Sequence, residues 1–257
     1  MLFALLSPAK KLDFAPAPVG IKATTPELLT AANTMAARAK KYSAADLKRL
    51  MDISDKLATL NYERFQAFDL EHARDAKPAI YAFNGDVYLG FESKTLSAED
   101  IKYAQRHIGI LSGLYGLLRP LDAMQPYRLE MGTAVDTDKG EDLYDYWRGP
   151  LTQHLNTMLA KAKAPTIVNL ASDEYWSAVD TKALKVPVVQ CAFKEIKNGK
   201  ASIVSFFAKK ARGMMARYIV QQRVDAPEGL KAFTAGGYAF DAKASNAKVF
   251  VFARKAK

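Results

Sequence analysis

The sequence has few of the residues from which covalent cross-links and metal centres are built. Cys191 is the one cysteine among 257 residues, which excludes an internal disulfide and a metal site made of several thiolates. A chain with so little cysteine suits a reducing compartment, so we expect a cytoplasmic protein. The three histidines, His72, His107 and His154, form neither an HxxxH nor an HExxH pattern, and the sequence therefore predicts no histidine metal centre.

Long apolar segments are also missing. No run of about 18 apolar residues occurs, so we expect no membrane-spanning helix. The N-terminus, MLFALLSPAKK, has a short apolar run with no basic region before it and no small-residue cleavage pattern, which argues against a secretory signal. The chain has no GxxxxGK[ST] phosphate loop and no GxGxxG motif after a strand, so the usual nucleotide-binding signatures are absent.

What the chain does have is an uneven positive charge. Its 37 lysines and arginines outnumber 27 aspartates and glutamates, for a net charge of +10. Residues 194–257 hold 14 basic and 4 acidic residues, so the whole excess lies in the last quarter of the chain. A local excess of this kind attracts polyanions, because neutralising phosphates releases condensed counterions. It is equally compatible with an ordinary basic surface, and charge alone does not choose between the two.

Hydrophobic periodicity predicts strands and helices that are mixed without regular alternation. Predicted strands cover residues 2–6, 79–83, 87–91, 165–170, 186–193, 200–207 and 249–252. Predicted helices cover residues 25–41, 97–111, 142–163 and 208–223, with a further helix from residue 43. The chain shows neither repeats nor a linker-like boundary. We therefore expect one α+β domain over residues 1–257, with a mixed sheet and surrounding helices.

The predicted helix 208–223 carries four cations. On a helical wheel, Lys209, Lys210, Arg212 and Arg217 share one side, and apolar residues fill the opposite arc. No acidic residue lies between Glu195 and Asp225 to neutralise them. The pattern is consistent with a solvated helix face and equally with a surface that meets a polyanion.

The segment LKRLMDISDKLATL at 47–60 resembles a helix-hairpin-helix element, which binds a DNA phosphate through backbone amides. Leu50, Ile53, Lys56 and Ala58 keep the hydrophobic, lysine and alanine spacing of the pattern L-P-G-I-G-x-K-x-A. Asp52 and Ser54 replace its two glycines, and aspartate tolerates the left-handed conformation better than most residues. The alternative is a plain turn between two helices.

A second segment, LSGLYGLLRP at 111–120, has the glycines that the first one lacks. Pro120 follows Gly116 by four residues, where a second helix of the hairpin would run, and proline inside a helix costs about 3 kcal/mol. The segment therefore predicts a sharp turn that presents Arg119, with Tyr127 and Arg128 following after another proline.

Three carboxylates offer an alternative, enzymatic interpretation. Asp86 lies in the turn NGDVY, Glu130 in YRLEMG and Asp173 directly after the strand NLAS. Carboxylates at strand ends can hold a divalent metal beside a phosphate, or could bind iron directly. Their spacing matches no metal-binding motif, and carboxylates in turns commonly bond only to local amides.

Taken together, the chain resembles the YaaA family of bacterial peroxide-stress proteins nearly from end to end. The matching blocks are LLSPAKKLDF at 5–14, ISDKLA at 53–58, FNGDVYLG at 83–90, LSGLYGLLRPLDAMQPYRLEMG at 111–132, DLYDYW at 142–147, NLASDEY at 169–175 and SFFAKKARGMMARY at 205–218. Long blocks of this kind are far more specific than any of the short motifs.

The resemblance implies a single α+β domain with a positively charged cleft and a helix-hairpin-helix element. It implies a protein that binds double-stranded or distorted DNA with little sequence preference and limits damage from intracellular iron during peroxide stress. It brings no established catalytic activity, cofactor or resident metal, and leaves the oligomeric state open. The matching positions expected to contact DNA are Lys10, Ser54, Lys56, Arg119, Arg128, Lys209, Lys210, Arg212 and Arg217.

Overall fold

A computed structural model describes residues 1–18, 20–71 and 76–256. The strands are β1 (Leu2–Leu6), β2 (Lys77–Pro78), β3 (Ile108–Ser112), β4 (Gly116–Leu118), β5 (Ala123–Met124), β6 (Thr166–Leu170), β7 (Val188–Lys197), β8 (Lys200–Ser202), β9 (Ala239–Phe240) and β10 (Val249–Lys255). The helices are α1 (Leu29–Ala39), α2 (Ala44–Met51), α3 (Asp55–Ala67), α4 (Ala79–Ala82), α5 (Asp86–Phe91), α6 (Ala98–His107), α7 (Leu143–Leu159), α8 (Asp173–Trp176), α9 (Ser205–Gln221) and α10 (Pro227–Leu230). Histidine 72 lies outside the described residues.

Eight strands form one mixed sheet, in the order β4-β3-β1-β6-β7-β10-β9 with β8 paired to β7. The five central strands, from β3 to β10, run parallel, and β4, β8 and β9 join antiparallel. The mixed sheet confirms the sequence prediction. The parallel pairing of the central strands was not predicted, because these strands are far apart in the sequence and periodicity does not reveal which of them are neighbours.

The middle of the sheet is buried on both faces. Every residue of β1, β3 and β6 is buried, which explains their largely apolar sequences, because parallel strands are covered on both sides. The same contiguous core includes buried residues from α1, α7 and α9.

The order of the strands reverses at β1. The chain adds β3 on one side of β1 and later adds β6 on the other side. In open sheets with parallel strands, such a switch point leaves a crevice at the carboxyl ends of the strands, where ligands commonly bind. Here Ser7 and Ser172 meet just beyond those ends, because the Ser172 amide donates a 2.8 Å hydrogen bond to the Ser7 hydroxyl oxygen.

Two predicted strands are helices in the structure. Residues 79–83 and 87–91 were expected to pair across the Asn84-Gly85 turn, but α4 and α5 occupy these positions. Tertiary packing overrides the local apolar pattern, because α5 lies tightly against α9 with Gly90 and Gly213 at the contact.

The predicted helix 97–111 and strand 200–207 are also too long. Helix α6 ends at His107, and the apolar residues Ile108 and Leu111 belong to β3. In the same way β8 ends at Ser202, and α9 begins at Ser205. In both places one apolar stripe continues through two consecutive elements, so periodicity alone cannot mark the boundary.

Several predictions are confirmed. Strand β1 has the predicted bounds, and β6, β7 and β10 lie where strands were expected. Ser43 and Asp46 form the predicted capping box at the start of α2, with the Ser43 hydroxyl accepting from the Asp46 amide at 3.1 Å. Within the described ranges, the structure contains no helix long and apolar enough to cross a membrane.

Candidate nucleic-acid interface

Helices α2 and α3 are joined by a three-residue turn. Asp52 ends α2 in the left-handed conformation, at φ 48° and ψ 58°. Glycine, which the helix-hairpin-helix pattern has at this position, adopts that conformation at a lower energetic cost. Ser54 caps α3 through its hydroxyl, which accepts from the Leu57 amide at 3.4 Å. Lys56 is exposed and forms no ion pair with any residue that the structure describes. Ile53 is buried and anchors the turn.

This pair of helices packs on two neighbouring segments. A small apolar cavity lies between them, lined by α1, α2 and the loop 129–135 through Met35, Ala39, Tyr42, Leu47, Leu50, Met51, Phe65, Leu129, Thr133 and Val135. The turn is therefore fixed relative to the loop that carries Arg128 and Glu130.

Lys10, Arg128 and Glu130 form one charged cluster beside that loop. The Lys10 ammonium lies 2.6 Å from Glu130 Oε2, and Arg128 Nη2 donates to Glu130 Oε1 at 2.9 Å. Lys10 is well exposed, with 64% of its side chain accessible, whereas Arg128 is largely covered. Glu130 therefore holds both predicted cations together and neutralises part of their charge.

Arg212 lies on α9, near Asp173 at the start of α8. Burial lowers the pKa of its guanidinium, and the nearby Asp173 carboxylate raises it. The side chain of Arg212 makes no hydrogen bond within the described ranges. The next residue after Asp173, Glu174, accepts from the Gly132 amide at 3.3 Å. A series of interactions thus links the α2–α3 turn, loop 129–135, α8 and α9.

The start of α9 is the most exposed part of that helix. Lys209 and Lys210 are both exposed, and neither has an ion-pair partner among the residues described. Phe206 and Phe207 lie about one helical turn before them, with 54% and 37% of their surfaces accessible. Two unpaired cations therefore stand beside two exposed aromatic rings, a combination that the charge pattern alone did not reveal.

The predicted cationic face does not extend along α9, and that part of the prediction is wrong. Gly213, Ala216 and Val220 are buried on the side where the cations were expected. Arg217 Nη1 points to the end of α5 and donates to the carbonyls of Phe91 and Glu92, each at 3.0 Å. The helix is thus covered by the sheet on one side and by α5 on the other.

Arg119 is also bonded within the protein. Its guanidinium donates to Asp122 Oδ1 at 3.0 Å and to the Thr25 carbonyl at 3.1 Å, and it pairs with Glu27. The turn before it is a buried β-hairpin, in which Gly116 has φ +66° and packs on the Trp147 ring. The structure therefore connects Arg119 to the segment before α1.

The three carboxylates of the enzymatic alternative lie in separate local environments. Asp86 is in the first turn of α5, Glu130 binds Lys10 and Arg128, and Asp173 is in the first turn of α8. Among the described residues, no three or more histidine, cysteine, aspartate or glutamate side chains are grouped closely enough to hold a metal ion.

The structure adds Ser7, Tyr88 and Ser112 to the residues near the ends of the central strands, and it gives Tyr127 a partner there. The Tyr88 hydroxyl donates to the Ser7 carbonyl at 3.1 Å, and the Tyr127 hydroxyl lies 2.6 Å from Ser112 Oγ. Burial is the main reason that the pKa of each of these tyrosines is raised. Ser7 and Ser112 were detectable in principle, because each closes or follows a buried strand.

Comparison with known proteins agrees with the resemblance carried by the matching sequence blocks. The family described as peroxide stress protein YaaA matches residues 1–244. A UPF0246 protein of Caulobacter vibrioides is 52% identical over 98% of this chain and 99% of its own length. UPF0246 proteins of Bordetella pertussis and Paraburkholderia xenovorans are 51% and 49% identical, each over 99% of both chains. The chain belongs to the YaaA family of peroxide stress proteins.

Proposed function

We propose that this protein binds double-stranded or distorted DNA in the cytoplasm during peroxide stress, and that this contact limits iron-dependent damage. Membership in the peroxide stress protein YaaA family supports the role in peroxide stress. The observation that carries the DNA contact is the start of α9, where Lys209 and Lys210 are exposed and unpaired within the described ranges, beside exposed Phe206 and Phe207.

Cations and aromatic rings together suit a nucleic acid better than either does alone. Lysine side chains bind backbone phosphates and release counterions, and aromatic rings stack on bases that have left the duplex. Neither contact identifies a base. We therefore expect binding with a steep salt dependence, little sequence preference and a preference for duplexes that contain unpaired bases.

The turn between α2 and α3 supplies a second contact in this proposal. The first amides of a helix have no partner inside it and carry the positive end of the helix dipole. At the start of α3 these amides lie beside the exposed Lys56, and the surrounding segment resembles a helix-hairpin-helix element in its hydrophobic, lysine and alanine spacing. We propose that they bind one phosphate and that Lys10 and Arg212 line a positively charged cleft between this turn and α9.

The paired substitution Lys209→Ala and Lys210→Ala tests the proposal. Each phosphate contact contributes about 0.9 to the slope of log affinity against log salt, so the slope should become shallower by about 1.8 units on loss of both. Affinity and slope are measured by fluorescence anisotropy with a plain duplex and a bubble duplex. Lys182→Ala with Lys185→Ala removes two exposed lysines elsewhere and should leave both quantities unchanged.

The same proteins test whether the DNA contact is needed for protection against iron-dependent damage. Plasmid exposed to Fe²⁺ and hydrogen peroxide should be nicked less with the unchanged protein than with the Lys209→Ala and Lys210→Ala variant. An unchanged affinity and salt slope in that variant would remove the start of α9 from the interface. Equal protection by both proteins would show that the contact at Lys209 and Lys210 is not what limits iron-dependent damage.

A further inference from the structure

The hairpin formed by β7 and β8 carries two cations that are not among the nine residues predicted to contact DNA. Lys197 ends β7 and Lys200 begins β8, and both side chains are exposed. Neither forms an ion pair with any residue that the structure describes, and no acidic residue follows Glu195 in the chain until Asp225. The hairpin therefore presents two positive charges to solvent.

A tight turn holds these two lysines opposite each other. Asn198 and Gly199 both have a positive φ, 51° and 75°, as the two-residue turns that commonly join twisted strands require. Lys197 and Lys200 are register partners across this turn, so their Cβ atoms lie about 4.5–5.5 Å apart. Like charges placed directly opposite each other destabilise a pair of strands. A ligand with closely spaced negative charges would offset that repulsion.

The end of this hairpin is open to solvent. All three residues of β8 are exposed, and a side-chain atom added at Gly199 would have no neighbour within 4 Å. Strand β8 lies off the main path of the sheet and is paired with β7. Residues 195–202 therefore form a short two-stranded arm, the β7–β8 arm. A two-stranded ribbon is narrow enough to enter the major groove of DNA.

Strand register places both lysines on the side of the sheet where α9 begins. Side chains two residues apart on a strand share a face, so Lys197 lies on the same face as Glu195. Arg254 is the register partner of Glu195 on β10, and its Nε donates to Glu195 Oε1 at 2.8 Å. The Phe207 ring lies against that guanidinium, with its centre 4.9 Å from the central carbon. The β7–β8 arm therefore extends the surface that the start of α9 begins.

We propose that the β7–β8 arm binds backbone phosphates of the same DNA that the start of α9 contacts, through the ammonium groups of Lys197 and Lys200. This inference rests on the proposed function, because it adds a contact to the same nucleic-acid surface. A phosphate contact carries no sequence information. The arm should therefore contribute equally to binding of a plain duplex and of a duplex with unpaired bases, whereas Phe206 and Phe207 should favour the second.

A charge-matched variant tests whether the placement of the charge matters. Lys200→Ala with Ala201→Lys moves one cation to the opposite face of β8 and keeps the net charge of +10. Ala201 is exposed, so the new side chain displaces nothing. The slope of log affinity against log salt should become shallower by about 0.9 units, as in Lys200→Ala alone. A slope equal to that of the unchanged protein would show attraction to charge without placement and would overturn the assignment.

The paired substitution Lys197→Ala and Lys200→Ala measures the whole contact by fluorescence anisotropy. The slope should become shallower by about 1.8 units, since each phosphate contact contributes about 0.9, and by the same amount for a plain and a bubble duplex. Lys197→Arg with Lys200→Arg keeps both charges and should retain the slope.

The outcomes separate this inference from the proposed function. If the unchanged protein binds DNA and the alanine pair has the same salt slope, the β7–β8 arm is not part of the interface and the rest of the proposal stands. A change confined to the bubble duplex would also contradict a phosphate contact. Failure of the unchanged protein to bind either duplex would overturn both the proposed function and this inference.

Discussion

Cys191 lies on β7 with 2% of its surface exposed, and burial raises the pKa of its thiol to about 12. The thiolate is the form that reacts with peroxides, and at neutral pH a thiol with this pKa stays protonated. The one cysteine of this peroxide stress protein is therefore a packed side chain of the sheet. Its burial is typical of a structural cysteine and not of a redox-sensing one.

We accordingly expect Cys191 to resist oxidation in the folded protein. After treatment with hydrogen peroxide, intact-protein and peptide mass spectrometry should find Cys191 unmodified, while the same treatment in strong urea should give sulfenic and higher oxidation products. The urea sample is the control, because it exposes the same thiol without changing the sequence. Rapid oxidation in the native sample would show that the sheet opens around β7 far more often than its burial indicates.

The cations of the interface differ in how much of their charge is already engaged. Lys209 and Lys210 have no ion-pair partner within the described ranges, whereas Arg119 and Arg217 make several hydrogen bonds inside the protein. A cation that must break internal bonds to meet a phosphate gains little from doing so. For this reason the two lysines are the informative positions for DNA binding.

Among the elements, α5 and α9 approach each other so closely that their backbones touch at Gly90 and Gly213. A methyl group at Gly213 would collide with the Val87 carbonyl and the Phe91 amide, and one at Gly90 would collide with the Lys210 carbonyl. These neighbours are backbone atoms, so they cannot move aside as a flexible side chain could. The two glycines are required because the helix backbones touch.

Gly213→Ala should therefore destabilise the protein, although alanine is the better helix former. Overpacking of this kind costs about 1–3 kcal/mol, against a gain of about 1 kcal/mol in helix propensity. Urea unfolding followed by circular dichroism measures the difference. Lys209→Ala, an exposed change in the same helix, should alter stability by less than about 0.5 kcal/mol. A stabilised Gly213→Ala protein would mean that α5 and α9 are further apart.

The same helix pair shows where prediction from sequence succeeds and fails. Strands β1 and β6 were predicted correctly because short, largely apolar segments are typical of strands buried on both faces, although the same pattern at 79–83 belongs to α4. Helix α5 was not, because FNGDVYLG combines a turn motif with an apolar run, and only the partner α9 makes it helical. The helical wheel for α9 placed Gly213 and Ala216 on the solvent-exposed side, but both are buried. Small residues that let two helices approach cannot be distinguished, by hydrophobicity alone, from small residues on an exposed face.

At the scale of the whole molecule, the positive charge is unevenly distributed along the chain. The last quarter of the chain carries the entire net charge of +10, and it supplies α9 and β10. Charge therefore indicates the region of the proposed interface. It does not indicate which cations are free, because Glu92 and Asp173 approach from other parts of the chain.

Acid stability is also set by groups spread across the fold. A hydrogen bond from the Ala15 amide lowers the pKa of Asp13, and one from the Ser97 hydroxyl lowers that of Asp100. At His107, burial lowers the pKa below 6.5, against a hydrogen bond to the Leu2 carbonyl that raises it. In each case the unfolded chain binds protons at a higher pH than the folded one, so acidification favours unfolding.

The free energy of unfolding should therefore fall in two stages as the pH is lowered. The histidine contribution is lost as the pH falls from 6.5, the unfolded value, to the lower folded pKa of His107; the carboxylate contribution is lost as the pH falls below 3.8 through the folded pKa of Asp13 and Asp100. Urea unfolding at a series of pH values measures both. His107→Gln keeps a donor for the Leu2 carbonyl without a titrating ring. It should make the first stage shallower, leaving the contribution of His154, whose pKa is also lowered by burial, and it should leave the second stage unchanged. If the first stage is equally steep in His107→Gln, the loss arises from other groups and His107 is not held neutral by its burial.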